Sequence, residues 1–278
     1  LANVTFYGVR GSTPCPAPEN IRFGGNTACV VIERDGHNPI ILDIGTGLRF
    51  FGESLPHDGS FRGSALVTHM HWDHIQGLPF FVPILLPGAA FDIYGPILEG
   101  GETLEHAFSD FMRPPYFPVT IADLKGKIRF HGLGAETRLI EGATVTARPV
   151  PHKGVTNGYR VEFEGTVLVY ISDHQQPLHD EKHVDDAVLE LCHDADVLIH
   201  DAQYTAAEFT QKYDWGHCTI DYALEVARQG GVKQLVLFHH DPAHDDRWLA
   251  AIEQEAVAAA AGEFEVIAAY EGLVLKYP

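Results

Sequence analysis

Between residues 68 and 74 the chain reads Thr68-His69-Met70-His71-Trp72-Asp73-His74, directly after the apolar run Ser64-Ala65-Leu66-Val67. Few stretches constrain a fold so tightly. On a strand, side chains two apart point the same way, so His69 and His71 can share one ion. If the chain then turns, Asp73 and His74 are aimed at a second ion, which is the geometry of a two-metal site. Imidazole and carboxylate donors suit two divalent ions of borderline character, zinc first, with manganese or iron as alternatives. The chain holds 17 histidines, so one histidine in a loop means little. This spacing is a much rarer match by chance.

The rest of the composition bounds what such a site can serve. With 278 residues, 45% of them hydrophobic, the chain can build a sizeable core, and a single α/β domain over 1–278 is the simplest expectation. A formal charge of −19 disfavours a broad basic surface, so no long nucleic acid is expected as a partner. A small anionic substrate is compatible with that charge, because two divalent ions held by two carboxylates leave a pocket of about +2. Cys15, Cys29, Cys192 and Cys218 lie far apart without a CxxC pair, which argues against a zinc ribbon or disulfide framework and for a reducing cytoplasm. No apolar run approaches membrane-spanning length and Leu1-Ala2-Asn3-Val4 shows no charged leader region, so no membrane partner is expected. A homodimer is left open.

Alternation of apolar residues predicts strands at 2–9, 27–33, 39–42, 64–67, 91–94, 127–130, 144–150, 159–163, 166–171, 197–200, 235–238, 264–268 and 273–276. Glu164-Gly165 makes a tight hairpin between two of them. Helical spacing appears at Leu104, Ala107, Phe108 and Phe111, stopped by Pro114-Pro115, and again at Val184, Ala187, Val188 and Leu191. Ile220, Ala223, Leu224 and Ala227 mark a helix closed by Gly230-Gly231, and an Ala-rich helix over 246–261 is capped by Gly262. Residues 8–26 form a Gly/Pro-rich loop, and 76–87 a short helix and loop near the site mouth. Tyr116-Phe117-Pro118 reads either as a lid or as ordinary loop packing.

Further donors follow directly on the predicted strands: His152 after 144–150, Asp173 after 167–172, His239 after 235–238, with Asp43 and Asp201 in equivalent places. Rigid strands hold side chains and loops leave them accessible, so convergence on one sheet edge is the expectation.

His69-Met70-His71-Trp72-Asp73-His74 resembles the signature of the metallo-β-lactamase superfamily, with His152, Asp173 and His239 at its later ligand positions. The resemblance covers essentially the entire chain and implies a four-layer αββα sandwich. It implies that His69, His71 and His152 hold one ion, Asp73, His74 and His239 the other, and that Asp173 bridges them. Asp43 matches the residue that braces the metal loop. His240 competes with His239, but an apolar strand running straight into the ligand favours His239. His37, His174 and His200 are read as ordinary polar residues.

Asp173 stands where zinc β-lactamases carry a Cys ligand, which speaks against antibiotic hydrolysis. His200-Asp201-Ala202-Gln203 followed by Trp215-Gly216-His217-Cys218 resembles the ribonuclease Z and cyclic phosphodiesterase branch. That resemblance implies that Asp201 orients His217 toward a scissile phosphate, with Asp73 assisting a metal-bridging hydroxide in attack on phosphorus. Asp201 replaces the Glu typical of ribonuclease Z, and no long Gly/Pro-rich arm is visible. The openings Gly8-Val9-Arg10-Gly11-Ser12-Thr13-Pro14 and Phe23-Gly24-Gly25-Asn26-Thr27 look like those of bacterial small phosphodiesterases. A small or cyclic phosphodiester is therefore the expected substrate. The alternatives are a thioester or lactone hydrolase, a nuclease like the tRNA 3′-processing enzymes, and a non-catalytic metal-binding module. Arg10, Asn26 and Lys153 stay open between pocket lining and structural bracing.

Overall fold

The computed structural model, which describes residues 1–180 and 182–277, turns the alternating apolar runs into two seven-stranded sheets. The first holds β1 (Ala2–Gly8), β2 (Cys29–Arg34), β3 (Ile40–Leu42), β4 (Arg62–Leu66), β5 (Ala90–Gly95) and β6 (Lys127–Gly132). The second holds β7 (Thr137–Ile140), β8 (Ala143–Pro149), β9 (Asn157–Phe163), β10 (Thr166–Ile171), β11 (Val197–Asp201), β12 (Gln234–Phe238) and β13 (Glu265–Ala268). The last strand, β14 (Val274–Tyr277), returns to the first sheet, so the orders are β14-β1-β2-β3-β4-β5-β6 and β13-β12-β11-β10-β9-β8-β7. The helices are α1 (Leu48–Ser54), α2 (Trp72–Ile75), α3 (Leu104–Phe111), α4 (Asp186–Cys192), α5 (Ala206–Lys212), α6 (Ile220–Gly230) and α7 (Asp246–Ala260).

Side chains alternate across a strand, and both faces of these sheets are covered. On β2, Val30 and Ile32 face the space between the sheets, together with Phe6, Leu66, Val161, Leu168 and Phe238. Its neighbour Val31 faces the other way, into a cluster with Ile41, Ala65 and Phe91 that is closed by Phe51 of α1 and Phe108 of α3. The outer face of the second sheet, through Leu198, Leu235 and Leu237, packs on Val188 of α4, Ala223 and Ala227 of α6, and Leu249 of α7. Helices, sheet, sheet and helices are the four layers of the expected αββα sandwich. Helix α6 begins where the Thr219 side chain accepts from Tyr222 N–H and ends on Gly231 at φ 66°, a left-handed cap that fits the expected glycine stop.

Strand direction decides where the site lies. β3 runs parallel to β4, and β10, β11 and β12 are mutually parallel. β8 is antiparallel to β9 and β9 to β10, so β8 shares the sense of β10. Within each sheet the carboxyl ends of these strands therefore lie at one edge.

Among the described residues, three elements besides the short helix α2 escaped the periodicity reading. β7 exposes three of its four residues, α5 buries none, and α1 is only seven residues long, so none presents a clear stripe. The final strand was expected to finish the same sheet as 264–268. It pairs antiparallel with β1 instead, because hydrogen-bond partners across the fold, not chain neighbours, choose its sheet.

Candidate metal centre

The backbone that carries the first motif is not the strand expected for it. β4 ends at Leu66, the chain loops through His69 and Met70, and His71 (φ −66°, ψ 150°) caps the short helix α2. A loop entering a helical turn, rather than strand alternation, brings His69 and His71 together, and the turn then points Asp73 and His74 inward. All seven candidate ligands converge. Donor atoms lie within 4.8 Å of one another in the sets His69–His71–His152, His69–His74–Asp173 and Asp73–His74–His239. Asp173 stands between them, 3.8 Å from His69 Nε2, 3.7 Å from His152 Nε2 and 3.1 Å from His74 Nε2. His240, the rival of His239, points away and donates from Nε2 to Ala269 O (2.9 Å).

The hydrogen bonds around the cluster assign its tautomers. His74 Nδ1–H donates to Asp43 Oδ2 (2.8 Å), His239 Nδ1–H to Gln203 Oε1 (2.9 Å) and His152 Nδ1–H to Gly216 O (2.6 Å). Thr68 Oγ1 gives its hydrogen to Asp43 (3.0 Å) and so accepts from His69 Nδ1–H (3.1 Å). Each of these rings is left with a lone pair on Nε2, aimed at the centre, as metal ligation requires. His71 differs, presenting Nδ1, which lies 3.3 Å from His152 Nε2. Asp43 also accepts from Thr68 N–H (2.7 Å) and Tyr170 O–H (2.9 Å) and is fully buried, so it ties the motif loop to both sheets.

The donor set fits a divalent metal on two further counts. Among the described residues, His69 Nε2 and Asp173 Oδ1 are buried without a hydrogen-bond partner. Such orphans cost about 1–3 kcal/mol each unless a cation takes their lone pairs. Burial and the neighbouring His74 also hold His69 well below the usual imidazole range, and burial pushes His152 down to about 4, so both are in the neutral form a metal needs. Burial alone would raise Asp73 and Asp173, but the surrounding imidazoles outweigh it and keep both ionised. His74 runs the other way: burial lowers it, yet Asp73, Asp173 and Asp43 prevail and raise it. A proton there and a cation at the centre satisfy the same carboxylates.

Backbone strain gathers at this edge. Ser12, Asp43 and His239 are non-glycine residues at φ 61°, 55° and 58°, a conformation costing about 1–3 kcal/mol each. It turns Asp43 and His239 sharply off β3 and β12, and it lets Ser12 N–H reach Asp73 Oδ2 (2.7 Å). Gly11 has no side chain for a packing reason, since a Cβ would sit 2.5 Å from His239 Nδ1.

Asp201 and His217 meet as expected, with His217 Nδ1–H donating to Asp201 Oδ2 (2.9 Å). The His217 ring stacks 5.0 Å from that of His239 and lies 5.6 Å from that of His152. Burial would lower His217, but Asp201 and Asp173 outweigh it and raise it. The reading of His174 and His200 as ordinary polar residues is corrected: both are fully buried, His174 N–H donates to Asp201 Oδ2 (3.0 Å), and their rings join through Nδ1 and Nε2 (2.9 Å). Their adjacency to Asp173 and Asp201 was the available signal. Gln203, Ser12 and Tyr170 carried no role in the sequence reading, because their contacts span distant segments. Arg10 and Asn26 prove to be braces, Arg10 donating to Gly24 O (2.7 Å) and His244 O (2.7 Å), Asn26 to the Glu271 carboxylate (3.1 Å). Lys153 is exposed and lines a cavity of about 440 Å³ beside His152.

A model described as a beta-lactamase superfamily domain matches residues 59–240, which include every candidate ligand. The chain is 29% identical over 217 residues to ribonuclease Z of Bacillus thuringiensis (strain Al Hakam), a match covering 62% of this chain and 68% of that one. Among solved structures, it superposes on the metallo-beta-lactamase fold protein YhfI of Bacillus subtilis with a TM-score of 0.74 at 18% identity, over 99% of this chain and 98% of the other. The short form of human tRNase Z gives a TM-score of 0.67 at 23% identity, over 99% of both chains.

Proposed function

Because the chain belongs to the beta-lactamase superfamily, we propose that it is a binuclear metal-dependent hydrolase that cleaves a small phosphodiester. His69, His71 and His152 would hold one ion, Asp73, His74 and His239 the other, with Asp173 shared; imidazole and carboxylate donors favour zinc. Bound there, the ions supply Lewis-acid polarisation of the phosphoryl oxygens and a more acidic water.

The observation that carries the reading is the Asp201–His217 hydrogen bond (2.9 Å) against the ligand cluster. Asp201 fixes the ring with its proton on Nδ1, so Nε2 is the working atom. Carrying a second proton there, which the raised pKa favours, His217 can hand it to the departing alkoxide. Asp73 Oδ2 accepts Ser12 N–H (2.7 Å) and faces the ligand side, 3.2 Å from His74 Nε2 and 3.1 Å from His239 Nε2, which leaves Oδ1 to accept a proton from the attacking water. A thioester or lactone has no phosphoryl charge for His217 to meet. The relatives' name favours a second reading, cleavage of RNA, but the net charge of −19 weighs against a polyanion and for a small substrate.

Turnover of bis(p-nitrophenyl) phosphate and of a thioester, each with and without added zinc or manganese, separates these readings. His217→Ala should keep both metals while the phosphodiester kcat falls about 100-fold or more, the contribution of a positioned acid. Asp201→Asn should lose less, and the double variant should be little worse than His217→Ala, because residues acting as a unit are non-additive. Additive losses, metal loss in His217→Ala, phosphodiester turnover indifferent to His217, or turnover of the thioester alone would overturn the proposal.

A further inference from the structure

We infer that the slot between Trp72 and Tyr116 is a subsite for a flat aromatic or heteroaromatic ester group of the substrate, an inference that rests on the phosphodiesterase reading. The slot encloses about 490 Å³ and is lined mainly by Trp72, Gln76, Phe80, Phe111, Tyr116 and Phe117. Three of these rings are open to solvent, Trp72 at 74%, Tyr116 at 77% and Phe80 at 56%. Leaving that much apolar surface in water forgoes about 25 cal/mol per Å², so the rings are placed to be covered by something.

The position of Trp72 says by what. It lies between His71 and Asp73, and the helical turn that sends Asp73 and His74 inward carries Trp72 and Gln76 together on the outer face, since residues four apart share a side of a helix. The slot therefore starts on the same turn that bears candidate metal ligands. For the slot to be filled, one ester arm of a phosphodiester seated among those ligands must extend over this turn into it.

The lining defines the arm. Its one ionisable acid, Asp110, is paired with Arg113 (2.8 Å), so the slot offers no free charge to a second anionic group. Phe80 and Phe117 pack edge to face (5.8 Å), which stiffens the wall. Indole and phenol faces favour a stacked planar ring, an interaction that tolerates different ring chemistries. Gln76 donates through Nε2 to Thr27 Oγ1 (3.4 Å), leaving its Oε1 to accept from an N–H on the ring edge. The cavity beside His152 is of another kind, with Lys153, Asp185 and Asp214 bringing charges of both signs.

Two phosphodiesters of equal charge test this, diphenyl phosphate with rings and diethyl phosphate without. Their binding to the metal-loaded protein is measured by calorimetry and by inhibition of bis(p-nitrophenyl) phosphate turnover. Diphenyl phosphate should bind about tenfold or more tightly than diethyl phosphate, the scale of one stacked ring. Trp72→Ala and Tyr116→Ala should each remove most of that preference, leave diethyl phosphate binding where it was, and retain metal by elemental analysis. Tyr116 lies on a segment separate from the ligand turn, so it decides the matter if Trp72→Ala disturbs the metals. Equal binding of the two diesters by the unaltered protein, or a preference that survives in Tyr116→Ala, overturns the slot alone. If neither diester binds, the phosphodiesterase reading falls, and the slot with it.

Discussion

Asp43→Asn should weaken metal binding far more than it weakens the fold. Asp43 Oδ1 accepts Thr68 N–H (2.7 Å), while Oδ2 accepts His74 Nδ1–H (2.8 Å) and Tyr170 O–H (2.9 Å), all out of contact with water. Asparagine keeps the volume and, with its oxygen at the Oδ1 place, keeps the Thr68 bond. Its NH2 then faces the other two donors. Tyr170 can rotate its hydroxyl to accept. His74 can accept only by moving its proton from Nδ1 to Nε2, the atom that faces the centre. The substitution thus trades a lost hydrogen bond for a ring in the wrong tautomer. Loss of such a partner typically costs 10–100-fold in metal affinity, equivalent to about 1.4–2.8 kcal/mol. Alanine is a harsher change, stranding Thr68 N–H, His74 Nδ1–H and Tyr170 O–H at about 1–3 kcal/mol each, a sum comparable to the whole stability of about 5–15 kcal/mol. The assay is competition with a chelator for zinc, run beside thermal unfolding of the metal-free proteins. Metal affinity in Asp43→Asn equal to that of the unaltered chain, with the variant folded, would refute the tautomer argument.

Metal-replete protein should carry about two divalent ions per chain, checked by elemental analysis, and Asp173→Ala should loosen both; retention of both at unaltered affinity counts against a shared ligand. Removing the ions with a chelator should lower Tm, because a ligand that binds only the native state at 1,000 times its Kd contributes about 4 kcal/mol. Gly216→Ala should displace His152: Gly216 sits at φ 99°, its new Cβ would lie 2.5 Å from the imidazole, and its carbonyl is the acceptor for Nδ1–H. About one ion should then be lost before the other, seen as a biphasic chelator titration, and a single phase identical to the unaltered protein would count against that placement.

Much of this site can be read along the chain. His69, His71, Asp73 and His74 are neighbours, and His152, Asp173 and His239 each follow an apolar run, so a local pattern of strand then donor marks them. Helices α6 and α7 are equally legible, because an apolar stripe with a Thr or Asp cap is written within one segment. Spacing separates His69 and His71 from Asp73 and His74, and the family resemblance supplied the places of His152, Asp173 and His239. What the chain does not show locally are contacts between segments far apart in it. Asp73 accepts a hydrogen bond from Ser12 N–H, the His239 ring donates one to Gln203, and Tyr170 reaches Asp43 from the other sheet. Burial of His174 and His200 beneath Asp201 and the joining of β14 to β1 rather than to β13 are of the same kind. Periodicity records which face of an element is apolar, but not which distant partner that face or edge meets. The candidate donors are therefore marked by local sequence, while the tautomer of each imidazole, the brace on each carboxylate and the aromatic slot beside them were set only when packing brought remote side chains together.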